Sequence, residues 1–312
     1  MTKLKIITKD DALEQHQCIA MIYGDPGSGK TSLGFSSSAP LLLDFDHGAH
    51  RSAFRGDCVV VESWDEVANL TVEDFKGYDT VVVDTVGRQL DYITQYLISQ
   101  DPRKARATGE LTLQGFGALK AVFTAWIRRL QTLGVDIVLL SHIKEDKKGD
   151  DILVRPDIQG SSYGEVMKCT DLVGYLYRQG KQPVIDFSPS EHHVGKNAPQ
   201  FELTEVPNLN EQPDFLGELI TQAKLVINQR NAMSQDAADK VASWRDMTKA
   251  SNSAEELTDV LNAAKDKING DKPVWLQVRK LINTRASELD VAYDKQVEAF
   301  QSNGNEKKAV AL

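Results

Sequence analysis

Eight consecutive residues, Gly24-Asp25-Pro26-Gly27-Ser28-Gly29-Lys30-Thr31, constrain this chain more than anything else in it. They satisfy the pattern G-x-x-x-x-G-K-[ST] without deviation, just after the apolar run 17–23 and just before a helix-forming stretch. Glycines at these positions let the backbone curl into a nest whose N–H groups converge on phosphate oxygens. Residues 24–32, from Gly24 through Ser32, therefore form the candidate nucleotide cradle. Within it Lys30 reaches the β- and γ-phosphates and the Thr31 hydroxyl ligates Mg²⁺.

The surroundings fit a sheet that carries such a loop. Four further apolar runs follow at 41–45, 58–62, 80–84 and 135–142, with helical patterns between them at 64–70, 89–99 and 113–133. In the longest helix Phe116, Leu119, Lys120, Phe123, Ile127 and Leu130 repeat at helical spacing. Continuous apolar strands alternating with helices predict an α/β fold with a mostly parallel central sheet covered on both faces.

Strand ends supply the remaining chemistry. Asp84 closes the run TVVVD, where a carboxylate stands beside the phosphate loop and holds Mg²⁺ through water. The run LLLDF ends in Asp44, followed by Asp46; either is a candidate to polarise an attacking water, and Asp46 lies further out. Ser141-His142 ends the fifth run, where a neutral imidazole is placed either to bond the γ-phosphate or to satisfy backbone.

Residues 143–164 are polar, charged and glycine-bearing, and read as a long surface loop. Strands that can be antiparallel are expected at 171–177, 182–187 and 200–206. From residue 212 the pattern is helical only: 213–228, Ser234 to Met247, a helix capped by Ser253 and Glu256 and ended by Gly270, and a long last helix from Pro273 to Phe300. Trp244, Met247, Leu257, Val260, Leu261, Trp275, Val278 and Leu281 recur at helical spacings across these C-terminal helices and read as a small helical core. The expected division is an N-terminal segment 1–15, a core 16–210, a small all-α region 211–300 and a tail 301–312.

With 312 residues, 41% hydrophobic and 26% charged, the chain has globular composition. Its 36 Lys and Arg face 45 Asp and Glu, a net charge of −9, which excludes a polycationic arm. Nucleic-acid contact then falls to local basic clusters: Arg103, Lys104 and Arg106 in one segment, Lys144, Lys147, Lys148 and Arg155 in another. In the second, Glu145, Asp146, Asp150 and Asp151 oppose the lysines; Tyr163 is placed to stack on a base or to pack. Cys18 and Cys58, in apolar runs, read as buried thiols; with Cys169 they lack zinc or disulfide spacing. No window has the apolar length of a membrane span and no signal-peptide core opens the chain, so a cytoplasmic location is expected.

Through GDPGSGKT, LLLDFDHG, VVVDT, the helix before VLLSH and the later GKN, residues 16–206 resemble the RecA-like P-loop ATPases, most closely a phage-encoded group active in DNA recombination and single-strand annealing. The resemblance implies a RecA-like P-loop NTPase core with Asp46 at the catalytic acid position, His142 at the γ-phosphate sensor and Lys196 near lysines that reach a neighbour's nucleotide, one of which is replaced by Ala198. It places 101–112 and 143–156 at two DNA-binding loops. It also implies a homo-oligomer, ring or filament, with ATP between subunits, and the host cytoplasm as location. The expected function is an ATP-hydrolysing, Mg²⁺-dependent single-stranded DNA-binding protein that promotes annealing or strand exchange. Its helical end would dock a replication or single-strand-binding protein. The alternatives are a regulatory ATP-binding module recruiting partners through that end, and a P-loop kinase.

Overall fold

The computed structural model describes residues 14–148, 151–268 and 270–302. Residues 1–13 and 303–312, with the N-terminal segment and tail expected there, lie outside the described residues, as does Asp150. The chain forms two compact units, Gln15–Ile227 and one containing Asn228 onward.

The first unit is built on one sheet. Its strands and helices run β1 (Ile19–Gly24), α1 (Lys30–Gly34), β2 (Pro40–Asp44), β3 (Asp57–Val60), α2 (Trp64–Val67), β4 (Thr80–Asp84), α3 (Val86–Gln100), α4 (Leu113–Gln131) and β5 (Asp136–Ser141). Then come β6 (Ile143–Lys148), β7 (Asp151–Pro156), α5 (Gly160–Cys169), β8 (Leu172–Gln179), β9 (Gln182–Asp186), β10 (Lys196–Asn197) and β11 (Thr204–Glu205). The order across the sheet is β11-β9-β8-β1-β5-β4-β2-β3, with β10 also paired to β8. From β8 to β3 every pairing is parallel.

The apolar runs are continuous because both faces are covered. On β1, Ile19, Met21 and Tyr23 enter one core with Leu90, Ile93, Phe123, Trp126 and Leu130 of α3 and α4. Ala20 and Ile22 enter the opposite core with Leu33, Leu216, Leu219 and Ile220. That second face is closed by the start of α6 (Phe215–Ala250). The α4 periodicity holds from Leu119 to Leu130, but Phe116 is 43% exposed and does not join the core.

Several expectations are corrected. Residues 143–164 are not a loop: β6 and β7 pair as an antiparallel hairpin and α5 follows. Ile143, Val154, Tyr163 and Met167 pack on the α3/α4 side of the core, which charged residues between them concealed. β8 is parallel to β1, and the antiparallel pairings of this sheet are β8–β9, β8–β10 and β9–β11. Cys58 is exposed, because β3 is the sheet's uncovered edge and all four of its residues face solvent; Cys18 is buried as expected. The two helices expected at 213–228 and 234–247 are one, Phe215–Ala250, since neither glycine nor proline falls between 228 and 234.

In the second unit the later part of α6 joins α7 (Ala254–Lys267) and α8 (Lys272–Glu288). Ser253 caps α7 by accepting from the Glu256 N–H. The last helix is shorter than expected. It stops at Glu288, Asp290 turns at φ 53, and β12 (Val291–Asp294) pairs with β13 (Ala299–Ser302). The region is thus helical with a closing hairpin rather than all-α: Val291 and Phe300 complete a core around Trp244, Leu257, Val278 and Ile282. Trp275 is half-buried and Met247 exposed. Among the described residues, no helix is long and apolar enough to cross a membrane.

Candidate functional site

Strand register assembles the site. Asp44 pairs with Asp84, Asp84 with Leu140 and Leu140 with Ile22, one row across β2, β4, β5 and β1. Two residues beyond that row stand Asp46, His142 and Gly24, at the carboxyl edge where ligands bind open α/β sheets. A cleft of about 400 Å³ there is lined by Pro26, Gly27, Gly29, Lys30, Thr31, Ser32, Asp46, Asp84 and His142, among others. Nine of the expected site residues therefore share one cavity.

The loop takes the shape its glycines permit. Gly27 and Gly29 have φ of 76° and 99°, left-handed conformations that a Cβ would strain. A Cβ on Gly24 would lie 2.3 Å from the Leu176 carbonyl oxygen, so this strand end needs glycine for space. α1 is little more than one turn, so anion affinity rests on loop N–H groups and Lys30 more than on a long helix dipole. Lys30 is buried, and its Nζ donates to the carbonyls of Gly24 at 2.9 Å and Asp25 at 2.8 Å. Burial lowers its pKa, and Asp84, Asp25 and Asp46 oppose that shift. Phosphate oxygens would compete with two neutral carbonyls for an under-solvated ammonium.

Thr31 Oγ1 donates to Asp84 Oδ2 at 2.6 Å. Burial raises the Asp84 pKa to about 6; the Thr31 bond and Lys30 lower it, while Asp44 and Asp46 raise it further. Three carboxylates thus crowd one lysine, and a hydroxyl and a carboxylate present hard oxygen donors. Mg²⁺ fits this donor set, which suits an ion held by one or two protein oxygens plus phosphates. No group of three metal-holding side chains occurs among the described residues. Ser28 Oγ, Thr85 Oγ1 and His142 Nδ1 are buried here without a hydrogen-bond partner in the protein.

The two aspartates after β2 separate. Asp44 is buried, accepts from the Gly48 and Ala49 N–H groups at 3.0 and 2.9 Å, and fixes that turn. Asp46 faces the cleft and meets Arg88 Nε at 3.2 Å and Arg51 Nη2 at 3.7 Å. His142 borders both this cleft and a second one lined by Arg88, Asp91, Asp157 and Gln159. Burial and then Lys30 lower its pKa, which favours neutral imidazole. Its carbonyl accepts from the Asp157 N–H at 2.8 Å, tying the start of the β6–β7 hairpin to its end.

Arg51 and Arg178 also line the cleft and were not legible in the sequence. Arg51 sits five residues past Asp46 in no motif, and Arg178 is the penultimate residue of β8, before a tight turn through Gly180. Only the strand order, which sets β8 beside β1, brings Arg178 to the phosphate loop.

The other expected residues lie elsewhere. Lys196 is on β10, where its ammonium donates to the Thr170 carbonyl. Arg103 pairs with Asp101 and Arg106 with Glu110, both on exposed surface; Lys104 is half-buried. Lys144 and Lys147 are exposed on β6 and Lys148 ends it. Arg155 is held by Asp146 and stacks over the Tyr163 ring, 4.8 Å from its centroid, so both side chains are committed within the chain.

A sequence model for a family described as an AAA domain matches residues 16–198, more than half of the chain. No curated protein matches it. The match spans β1 through β10 and takes in every residue that lines the cleft. The chain belongs to this AAA-domain family, a P-loop ATPase type whose members bind and hydrolyse nucleotides.

Proposed function

We propose that this AAA-domain protein is an ATP-hydrolysing, Mg²⁺-dependent single-stranded DNA-binding protein, acting in annealing or strand exchange of the kind phage recombination uses. The observation that carries this reading is His142. It borders the phosphate cleft, and the next residue begins a hairpin bearing Lys144, Lys147 and Lys148. A group at the γ-phosphate position that roots a lysine-bearing hairpin couples nucleotide state to lysines that can meet DNA phosphates, although as many carboxylates as cations stand in that hairpin.

Residue roles follow from position. Loop N–H groups and Lys30 hold the β- and γ-phosphates, and Lys30 gives up two carbonyls to do so. Thr31 and Asp84 would hold Mg²⁺, which supplies neutralisation of developing phosphate charge. Asp46 orients the attacking water and accepts its proton, while Arg88 and Arg51 fix its carboxylate. His142, neutral, donates its ring N–H to a γ-phosphate oxygen and transmits the loss of that phosphate to the hairpin.

The test measures ATP turnover with and without single-stranded DNA, alongside DNA binding with and without Mg·ATP. Stimulation by DNA and ATP-dependent binding are expected. Turnover indifferent to DNA, with no DNA bound at low salt, overturns the reading. A second reading, a regulatory ATP-binding module with slow turnover, is favoured by the two arginines that neutralise Asp46 and weaken it as a base.

A further inference from the structure

The first turn of α4 is polar where the core needs it and apolar where it meets water. Gly115 faces inward, and a Cβ there would lie 2.4 Å from the Lys104 carbonyl oxygen. Thr112 donates to that same carbonyl from its N–H at 2.8 Å and its hydroxyl at 3.1 Å. The basic segment is thereby clamped onto the helix start, and Ala105 bridges to Leu111 while Arg106 N–H bonds Glu110. On the outer side Leu113 is 89% exposed and Phe116 43% exposed. A Cβ on Gly117 would meet nothing within 4 Å, so the helix is open there too.

An exposed aromatic ring and an exposed leucine beside Arg103, Lys104 and Arg106 form an apolar patch set in positive charge. Arg106 is held loosely, because its Glu110 partner is exposed and 3.7 Å away and such pairs contribute little; Arg103, itself exposed, meets half-buried Asp101 through Nε at 2.9 Å and Nη2 at 3.2 Å and would exchange that pair for a phosphate. Positively charged surface with an aromatic platform is the chemistry that binds single strands without sequence preference. We infer that Leu113 and Phe116 form a base-stacking platform for single-stranded DNA, whose flanking phosphates Arg103 and Arg106 take up. The inference rests on the single-strand reading above and adds to it the surface that senses bases rather than backbone.

The test compares binding of the full chain, with Mg·ATP, to a thymidine oligonucleotide and to an abasic strand of equal length. Wild type should prefer the base-bearing strand. Phe116→Ala should lose about 5- to 100-fold of its thymidine affinity, leave abasic binding and the salt slope unchanged, and be rescued by Phe116→Tyr. Leu113→Ser should weaken the same strand selectively. Equal loss on both strands, or no loss, overturns the platform, and so does a change only in sedimentation without DNA, which marks a protein interface. If wild type binds neither strand, the single-strand reading itself fails, an outcome distinct from every variant result.

Discussion

The Thr31 hydroxyl donates to Asp84 at 2.6 Å, linking the end of the phosphate loop to the end of the strand two places away in the sheet. The bond stabilises an Asp84 carboxylate that burial otherwise disfavours, and the net result is a pKa of about 6 against an ordinary 3.8. A raised folded-state pKa means the folded protein binds the proton more tightly than the unfolded chain. Its contribution to stability is complete below pH 3.8 and is lost as pH rises through 6. In chelator and without nucleotide, Asp84→Asn should be more stable than wild type at pH 7, by on the order of 2–3 kcal/mol. The gap should close toward pH 4. Denaturant melts across that range check it, and a gap independent of pH contradicts the assignment. The same variant should lose the Mg²⁺ dependence of ATP binding.

Lys30 is the group most able to distinguish a nucleotide site from a glycine-rich turn. Lys30→Met removes a buried ammonium whose hydrogen bonds are to carbonyls, so the fold should persist. The lost charged hydrogen bonds to phosphate are worth about 1.5–3 kcal/mol, a fall of roughly 10- to 150-fold in ATP affinity. Titration calorimetry reads it, with the melting curve as the control for folding.

How much of this could be read from sequence depends on whether a residue's role is local. The nest at Gly24–Thr31 and the polar ends of β2, β4 and β5 are local: a strand buried on both faces shows as an unbroken apolar run, and whatever follows it lies at the sheet's edge. Arg178 was invisible because its place depends on β8 lying beside β1, a pairing across some 150 residues of chain. The hairpin at 143–156 was misread because Ile143 and Val154 are its inward residues amid charged neighbours, which leaves no strong period. Cys58 was misread for the opposite reason, since an apolar strand at an open edge looks like an interior one. The closing β12–β13 hairpin carries no turn signal, since Asp290 turns the chain at φ 53 with neither glycine nor proline anywhere from 274 to 300.

The two aspartates after β2 make opposite predictions. Asp44→Ala leaves the Gly48 and Ala49 N–H groups without their acceptor and should cost about 2–3 kcal/mol of stability. Asp46→Ala touches only the cleft and exposed arginines, so stability should stay within about 0.5 kcal/mol of wild type, while turnover falls about 100-fold or more. Parallel thermal melts and phosphate-release assays separate them. Lost turnover in a fully stable Asp44→Ala protein would reverse the roles.

Arg178, next to last in β8, lines the cleft and places one donor on the Lys181 carbonyl at 3.0 Å. Being exposed, it should be removable at little cost to folding. Arg178→Ala should reduce ATP affinity or turnover about tenfold, the worth of one charged hydrogen bond to phosphate. Arg178→Lys should recover part of it. Unchanged kinetics would assign this arginine to the surface.

The basic residues outside the cleft divide by what holds them. Arg155 is committed to Asp146 and to the face of Tyr163, so Arg155→Ala should lower stability, through the ion pair and the lost stacking, rather than change DNA binding alone. Lys144 and Lys147 are exposed, Arg106 has the exposed Glu110 as partner, and Arg103 is exposed but paired at two points with half-buried Asp101. Each that contacts a DNA phosphate should contribute about 0.7 to the slope of log affinity against log salt for a single strand. Replacing Arg103 and Arg106 by serine should therefore flatten that slope by about 1.4, and replacing Lys144 and Lys147 by a similar amount. If only one pair changes the slope, that pair alone marks the strand's path; if neither does, the strand lies elsewhere on the protein.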